Sequence, residues 1–226
     1  MIPRPENPIV VALDVSDIDR AETLARSLEG RIGMFKIGLE LFAAHGPAAV
    51  LRLRNYGPTF LDLKLHDIPN TVERAARNCA RMGVAMVSVH ALGGEAMVRA
   101  AVRGAAQGSA GSAPAPIVAG VTVLSSLSGE ELASSASLAF EAKASGAGAV
   151  VVSGDDVQVV REVVGEAFVL VVPGIRPAGS NGHDQVRILT PEEALEAGAD
   201  YLVIGRAITD SPDLAGTAES ILATIR

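Results

Sequence analysis

The stretch TFLDLKLHDIPNTV, residues 59–72, sets Asp62, Lys64 and Asp67 into a segment that otherwise alternates like a buried strand and then breaks at Pro69. Successive side chains of a strand face opposite ways, so Asp62 and Lys64 share one face while Leu61, Leu63 and Leu65 share the other. The following NTVERAARNCARMG spaces its apolar residues by three and four, as one face of a helix does, and closes on Gly83. The stretch therefore reads as one strand–helix unit with charges gathered where the strand ends.

The same unit recurs along the chain. Apolar runs IVVALD (9–14), MFKIG (34–38), AMVSVHA (85–91), IVAGVTVL (117–124), AGAVVVS (147–153), FVLVVPG (168–174) and DYLVIGR (200–206) join 59–65 to make eight expected strands. Between and after them, DIDRAETLARSLEG, GGEAMVRAAVRGAAQG, GEELASSASLAFEAKASG, DVQVVREVVGE, TPEEALEAGA and DLAGTAESILATIR carry helical spacing. Gly146 and Gly198, like Gly83, stand where a helix C-terminus needs glycine. Nearly continuous apolar strands alternating with amphipathic helices predict a parallel sheet covered on its outer face. Eight repeats of about 28 residues fit an α/β fold of the (β/α)8 TIM-barrel type, one domain over residues 1–226. An open doubly wound sheet is the alternative.

The chain has 226 residues, 19 Lys+Arg against 26 Asp+Glu, a net charge of −7 and no basic run, so nucleic acid and anionic membranes are not expected partners. Aromatic residues make up only 3%, too few for a base-stacking surface. No apolar run approaches the ~20 residues needed to cross a bilayer. The opening MIPRPENPIV lacks the layout of a signal peptide, and the single cysteine, Cys79, cannot form an internal disulfide. A cytoplasmic setting is expected.

In a barrel the leucines of 59–65 face the helices, and Asp62 and Lys64 point inward near the C-terminal strand ends, where barrel enzymes keep their chemistry. Asp14 at the end of the first strand and Lys36 in the second are expected at the same height. With Asp67 in the loop above, they predict an Asp, Lys, Asp, Lys, Asp ring around the mouth. The competing reading is a structural ion-pair plug. Opposite charges favour the charged form of an ammonium, which makes Lys64 an acid. A cation that offsets developing negative charge and delivers a proton suits decarboxylation through a carbanion-like species with no cofactor. A Schiff-base role needs a lowered lysine pKa, which acidic company opposes.

The last strands carry a second signal. PGIRP (173–177) and VIGRAIT (203–209) follow strands seven and eight, where such barrels bind phosphate through main-chain N–H groups and a guanidinium. Gly205 would let oxygens approach the main chain, and Arg206 and Arg176 could pair with them. The long connection 175–188 is expected to be a lid. The stretch 108–116, GSAGSAPAP, is read as a slack connector. His66 is expected to be supporting and His90 a hydrogen-bonded barrel residue. His45 and His183 are expected at the surface. The four histidines show no ligand spacing, so no metal is expected.

VALDV, FKIG, FLDLKLHDIPNTV, VHALGG, VTVLSS, VPGIRP with HDQVRI and TP behind it, and YLVIGRAIT together resemble orotidine 5′-monophosphate decarboxylase in its short bacterial form, over almost the whole chain. The resemblance implies a (β/α)8 barrel that converts orotidine 5′-monophosphate to UMP and CO2, the last step of pyrimidine nucleotide synthesis, without metal or organic cofactor. It implies that Lys64 protonates C6 of the pyrimidine and that Asp62 sits beside the departing carboxylate. Asp14 and Lys36 would hold the ribose and extend the charge network. Asp67, Ile68 and Thr71 would reach into the site of a second subunit, making a homodimer with shared active sites. Ser125, where many relatives have Thr, would contact the pyrimidine. Gln185, Gly205 and Arg206 would bind the phosphate, and Arg176 would stand at the base of the lid.

Two other functions remain open at the level of sequence. A related sugar-phosphate enzyme, a 3-keto-gulonate 6-phosphate decarboxylase or a hexulose phosphate synthase, shares DxKxxD and uses Mg2+ to stabilise an enediolate. HDIPNT and PGIRP favour the first reading. A non-catalytic barrel that binds a phosphorylated ligand would keep affinity without Lys64.

Overall fold

The computed structural model describes residues 5–109, 114–123, 132–177 and 189–225. Strands and helices alternate: β1 (Ile9–Ala12), α1 (Ile18–Leu28), β2 (Met34–Ile37), α2 (Leu39–His45), α3 (Pro47–Leu53), β3 (Thr59–Leu65), α4 (Pro69–Arg81), β4 (Met86–His90), α5 (Gly94–Gly108) and β5 (Ile117–Val121). The chain continues through α6 (Leu132–Ala144), β6 (Ala149–Val151), α7 (Val157–Val164), β7 (Val169–Pro173), α8 (Pro191–Glu196), β8 (Tyr201–Ile204), α9 (Arg206–Thr209) and α10 (Leu214–Thr224). The eight strands pair in parallel in chain order, and β1 closes on β8 through Val10↔Val203. This is the (β/α)8 barrel expected from the sequence.

Local chemistry explains the element ends. The Asp17 carboxylate caps α1 by accepting from the Asp19 and Arg20 N–H groups. Proline opens α3, α4 and α8, where a missing N–H costs nothing. Thr190 and Glu193 form a reciprocal capping box on α8. Gly83, Gly146 and Gly198 adopt φ of 76°, 91° and 107°, the left-handed backbone that ends a helix and favours glycine.

Alternation along the strands builds two cores. Ile9, Val11, Leu61, Val87 and Leu170 face outward and pack under the helices. Val10, Ala12, Met34, Phe60, Met86, Val121 and Val171 fill the barrel interior. One step further along the inward faces of β2, β3 and β4, the apolar Met34, Phe60 and Met86 give way to Lys36, Asp62 and Ser88, all buried. A polar layer thus caps an apolar plug, and it costs little only if its members satisfy one another.

Three differences from the sequence reading have physical causes. The segment between β2 and β3, read as no element, folds as α2 and α3, with Gly46 (φ 57°) and Pro47 breaking what would be one helix. The strand β1 ends at Ala12, so Asp14 stands in the loop beyond it rather than at the strand's last residue. Regular pairing also fails in β3, although its side chains still alternate: Leu61 pairs with Val87 and Leu65 with Val89, so four residues of β3 run against two of β4. This bulge centres on Lys64, whose φ of 50° is the only positive value at a non-glycine among the described residues. Residues 110–113 of the expected connector and 178–188 of the expected lid lie outside the described residues. No described helix is long and apolar enough to cross a membrane.

Candidate active site

The charges expected at the mouth form a chain of contacts. Lys36 Nζ lies 3.0 Å from Asp14 Oδ1 and 3.7 Å from Asp62 Oδ2, and Lys64 Nζ donates to Asp62 Oδ2 at 2.8 Å. The other oxygen of Asp62 accepts from the Ser88 hydroxyl at 2.7 Å. Ser88 Oγ in turn accepts from the Lys64 main-chain N–H at 2.8 Å. Asp62 is only 8% exposed. Burial pushes its carboxyl pKa up, but the charges of Lys36 and Lys64 and the hydrogen bonds from Lys64 and Ser88 outweigh that and hold it below the ordinary carboxylate value. Gly38 makes room for this network, because a Cβ there would stand 2.9 Å from Asp14 Oδ1 and 3.2 Å from Lys36 Nζ.

Asp14, Lys36, Asp62 and Lys64 line a cavity of about 460 Å³ at the C-terminal ends of the strands. Its apolar wall comes from Ala12, Phe60, Val121, Val123, Val151 and Val203, so charges inside it face a surface that cannot solvate them. Gly174, Arg176, Gly205, Arg206 and Thr209 line the part above β7 and β8. Gly174 needs its left-handed φ of 81°. A Cβ at Gly205 would meet nothing nearer than Ala12 Cβ at 3.8 Å, so packing does not demand glycine there and its bare main chain is open to the cavity. Arg176 is buried just after β7, and its main-chain N–H donates to Leu189 O at 3.0 Å. The cavity therefore joins an ammonium–carboxylate cluster to two guanidinium groups, as a phosphorylated, carboxylated ligand would require.

The structure thus gathers Asp14, Lys36, Asp62, Lys64, Arg176, Gly205 and Arg206 around one cavity. It does not bring Asp67 there. The expected five-charge ring is a chain of four, because the chain turns away after Leu65 and Asp67 Oδ1 instead accepts the Ile68 N–H at 2.6 Å. Asp67, Ile68 and Thr71 are all exposed, Ile68 to 66%. Ser125 and Gln185, like His183, lie outside the described residues.

Of the other histidines, His90 differs from expectation. His90 Nδ1 is buried without a hydrogen-bond partner, and its ring packs against His66 with centroids 5.4 Å apart. Burial first, then His66 and Lys64, lower the His90 pKa, against the pull of Asp62. His45, expected at the surface, is partly exposed, with Nε2 2.8 Å from Ser16 O. Cys79 is on the buried face of α4, and burial raises its thiol pKa to about 11. Among the described residues no three His, Cys, Asp or Glu side chains come together as a metal site.

Ser88, Ser153, Thr209 and Gly38 were not singled out in the sequence. Ser153 and Thr209 line the cavity. For Ser88 the signal was present: in MVSVH it falls on the same alternation phase as Met86, the inward face of β4.

The comparisons with known proteins agree with this geometry. The sequence model of the "Orotidine 5'-phosphate decarboxylase / HUMPS family" matches residues 7–221. A protein of Anaeromyxobacter dehalogenans named orotidine 5′-phosphate decarboxylase is 48% identical over 97% of this chain and 99% of its own length. One of the same name from Moorella thermoacetica is 46% identical over 97% of this chain and 92% of its own. The crystal structure of orotidine 5′-phosphate decarboxylase from Lactobacillus acidophilus superposes with a TM-score of 0.86 at 33% identity, covering 98% of this chain and all of that one. On these matches, which run nearly end to end, the chain belongs to the orotidine 5′-phosphate decarboxylase / HUMPS family.

Proposed function

We propose that this protein decarboxylates orotidine 5′-monophosphate to UMP and CO2 in pyrimidine nucleotide synthesis, with Lys64 as proton donor. Membership of the family supports the overall reaction. The observation that carries the assignment of roles is that Lys64 Nζ, fixed 2.8 Å from Asp62, shares one cavity with Arg206. In this reading Arg206, Arg176, Gln185 and the main chain at Gly205 grip the phosphate, Asp14 and Lys36 hold the ribose, and Ser125 meets the base. The C6–carboxylate bond breaks beside Asp62, its electron pair stays on C6, and CO2 leaves. The Lys64 ammonium stabilises that pair through space and then transfers its proton to C6, becoming a neutral amine that regains a proton from solvent. The positive charge comes from the chain itself, so the reading needs neither metal nor organic cofactor.

Asp67, Ile68 and Thr71 belong to the same proposal as residues lent to a second subunit. Their exposure beside the mouth, outside the cavity of their own chain, fits that role. The active unit is then a homodimer, and a cytoplasmic location fits the lone, buried Cys79 and the nucleotide substrate.

The test is the loss of orotate absorbance when purified protein meets orotidine 5′-monophosphate in excess chelator. Turnover supports the proposal. No change, or turnover only after divalent metal is restored, overturns it in favour of binding alone or of the metal-dependent sugar-phosphate chemistry.

A further inference from the structure

Ser88 stands inside the barrel on β4, fully buried, one strand away from the bulge that carries Lys64. Its hydroxyl gives its one hydrogen to Asp62 Oδ1 at 2.7 Å and accepts the Lys64 main-chain N–H at 2.8 Å. One donor and two lone pairs allow both bonds at once. Ser88 does not line the cavity, so it reaches the chemistry only through its two neighbours. Those neighbours have few substitutes for it. The bulge takes Lys64 out of the β3–β4 ladder, leaving its N–H without a strand partner, and its left-handed φ of 50° is held against an intrinsic preference.

We infer that Ser88 is a positioning residue for decarboxylation: a single hydroxyl sets both the strained main chain of the proton donor and the rotation of the carboxylate that clamps its amine. This rests on the proposed activity. Without the hydroxyl, Asp62 can turn about its Cβ–Cγ bond toward Lys36, and Lys64 can relax out of the left-handed region. Each motion shifts Nζ relative to the base while the phosphate grip above β7 and β8 is untouched.

The experiment compares wild type with Ser88→Ala, Ser88→Cys and Ser88→Thr. Ser88→Ala is expected to lower kcat roughly 10–100-fold, the cost of a small misplacement of a reacting group. KM for orotidine 5′-monophosphate and the affinity for UMP should change by less than about threefold, since remote binding is intact. The acid limb of the kcat/KM pH profile should move to higher pH, because the lost bond favoured the ionised carboxylate. Ser88→Thr, which keeps the hydroxyl, should restore kcat toward wild type and return the acid limb. Ser88→Cys preserves volume with a weak donor and should fall between; it carries the test if the alanine variant does not fold.

A residue that only packs would lower thermal stability and leave kcat per folded site and the acid limb unmoved. That result in Ser88→Cys or Ser88→Ala, with active wild type, overturns this inference alone. A wild type without turnover overturns the activity and this inference together.

Discussion

Lys64 Nζ lies 2.8 Å from Asp62 Oδ2, and the main chain between them leaves regular strand geometry to a φ of 50° at the lysine. A left-handed conformation at a non-glycine costs on the order of 1–2 kcal/mol, and such strain persists only where surrounding contacts over-determine it. Here the contacts are the Ser88 hydroxyl on the lysine N–H and the Asp62 carboxylate on its amine. The strain coincides with the group proposed to donate the proton. The same pairing makes stability depend on pH and on the integrity of the cluster.

Asp62 should stabilise the fold at neutral pH and cease to do so in acid. Its carboxyl is held below the ordinary value, so as pH falls through about 4 the unfolded chain takes up a proton first. The stabilisation is complete above that point and disappears as pH falls toward the folded value. Urea denaturation of wild type and Asp62→Asn should show a gap on the order of 1–3 kcal/mol near neutrality, narrowing below about pH 4. A gap that stays constant would contradict the charge-based account.

His90 should make the protein less stable in mild acid. Its pKa is lowered in the folded state by burial, by His66 and by Lys64, with Asp62 opposing. The unfolded chain therefore protonates first as pH falls through about 6.5, and stability present above that value is lost below it. The melting temperature of wild type should drop more than that of His90→Asn between about pH 7.5 and 5.5. Parallel drops would place the titration elsewhere.

Arg206 lines the cavity beside an open glycine main chain, and its proposed role is to grip the phosphate. Arg206→Ala should raise KM about 10–100-fold, the worth of one or two charge-assisted hydrogen bonds. Turnover of orotidine, which lacks the phosphate, should be indifferent to the substitution. Steady-state kinetics with both substrates checks this; an equal loss on orotidine would remove Arg206 from phosphate recognition.

If Asp67 serves the partner's site, inactive variants should rescue each other. Mixing Lys64→Ala with Asp67→Ala and allowing subunits to exchange should return up to about a quarter of wild-type activity, because half the dimers are mixed and each then holds one intact site. Either variant alone should remain inactive. Absence of rescue after verified exchange would confine the site to one chain.

Much of this was legible from residues 59–72. Asp62 and Lys64 were read correctly as inward neighbours, because a period of two survives even through a bulge that happens to insert an even number of residues. The bulge itself was invisible, since a left-handed lysine has no sequence signature. Lys36 is legible as a charge inside an apolar strand; alternation puts Ser88 on the same inward face, but a small hydroxyl between valines does not stand out by polarity. The helices α2 and α3 escaped because Gly46-Pro47 cuts their periodic stretch into two seven-residue pieces. Two places are expected for Asp67, the rim of its own cavity and the site of a second subunit; within one chain it stands outside the cavity, because sequence spacing sets how far a residue is along the chain, not which way a loop turns after the strand ends.

The most direct measurement is single-turnover conversion of orotidine 5′-monophosphate by Lys64→Met, with UMP binding and thermal melting followed on the same preparation. UMP should bind within a few-fold of wild type and the fold should remain intact, while UMP formation slows by at least about 1,000-fold. A variant that still produces UMP at a rate near that of wild type would show that the amine clamped by Asp62 is not the source of the proton.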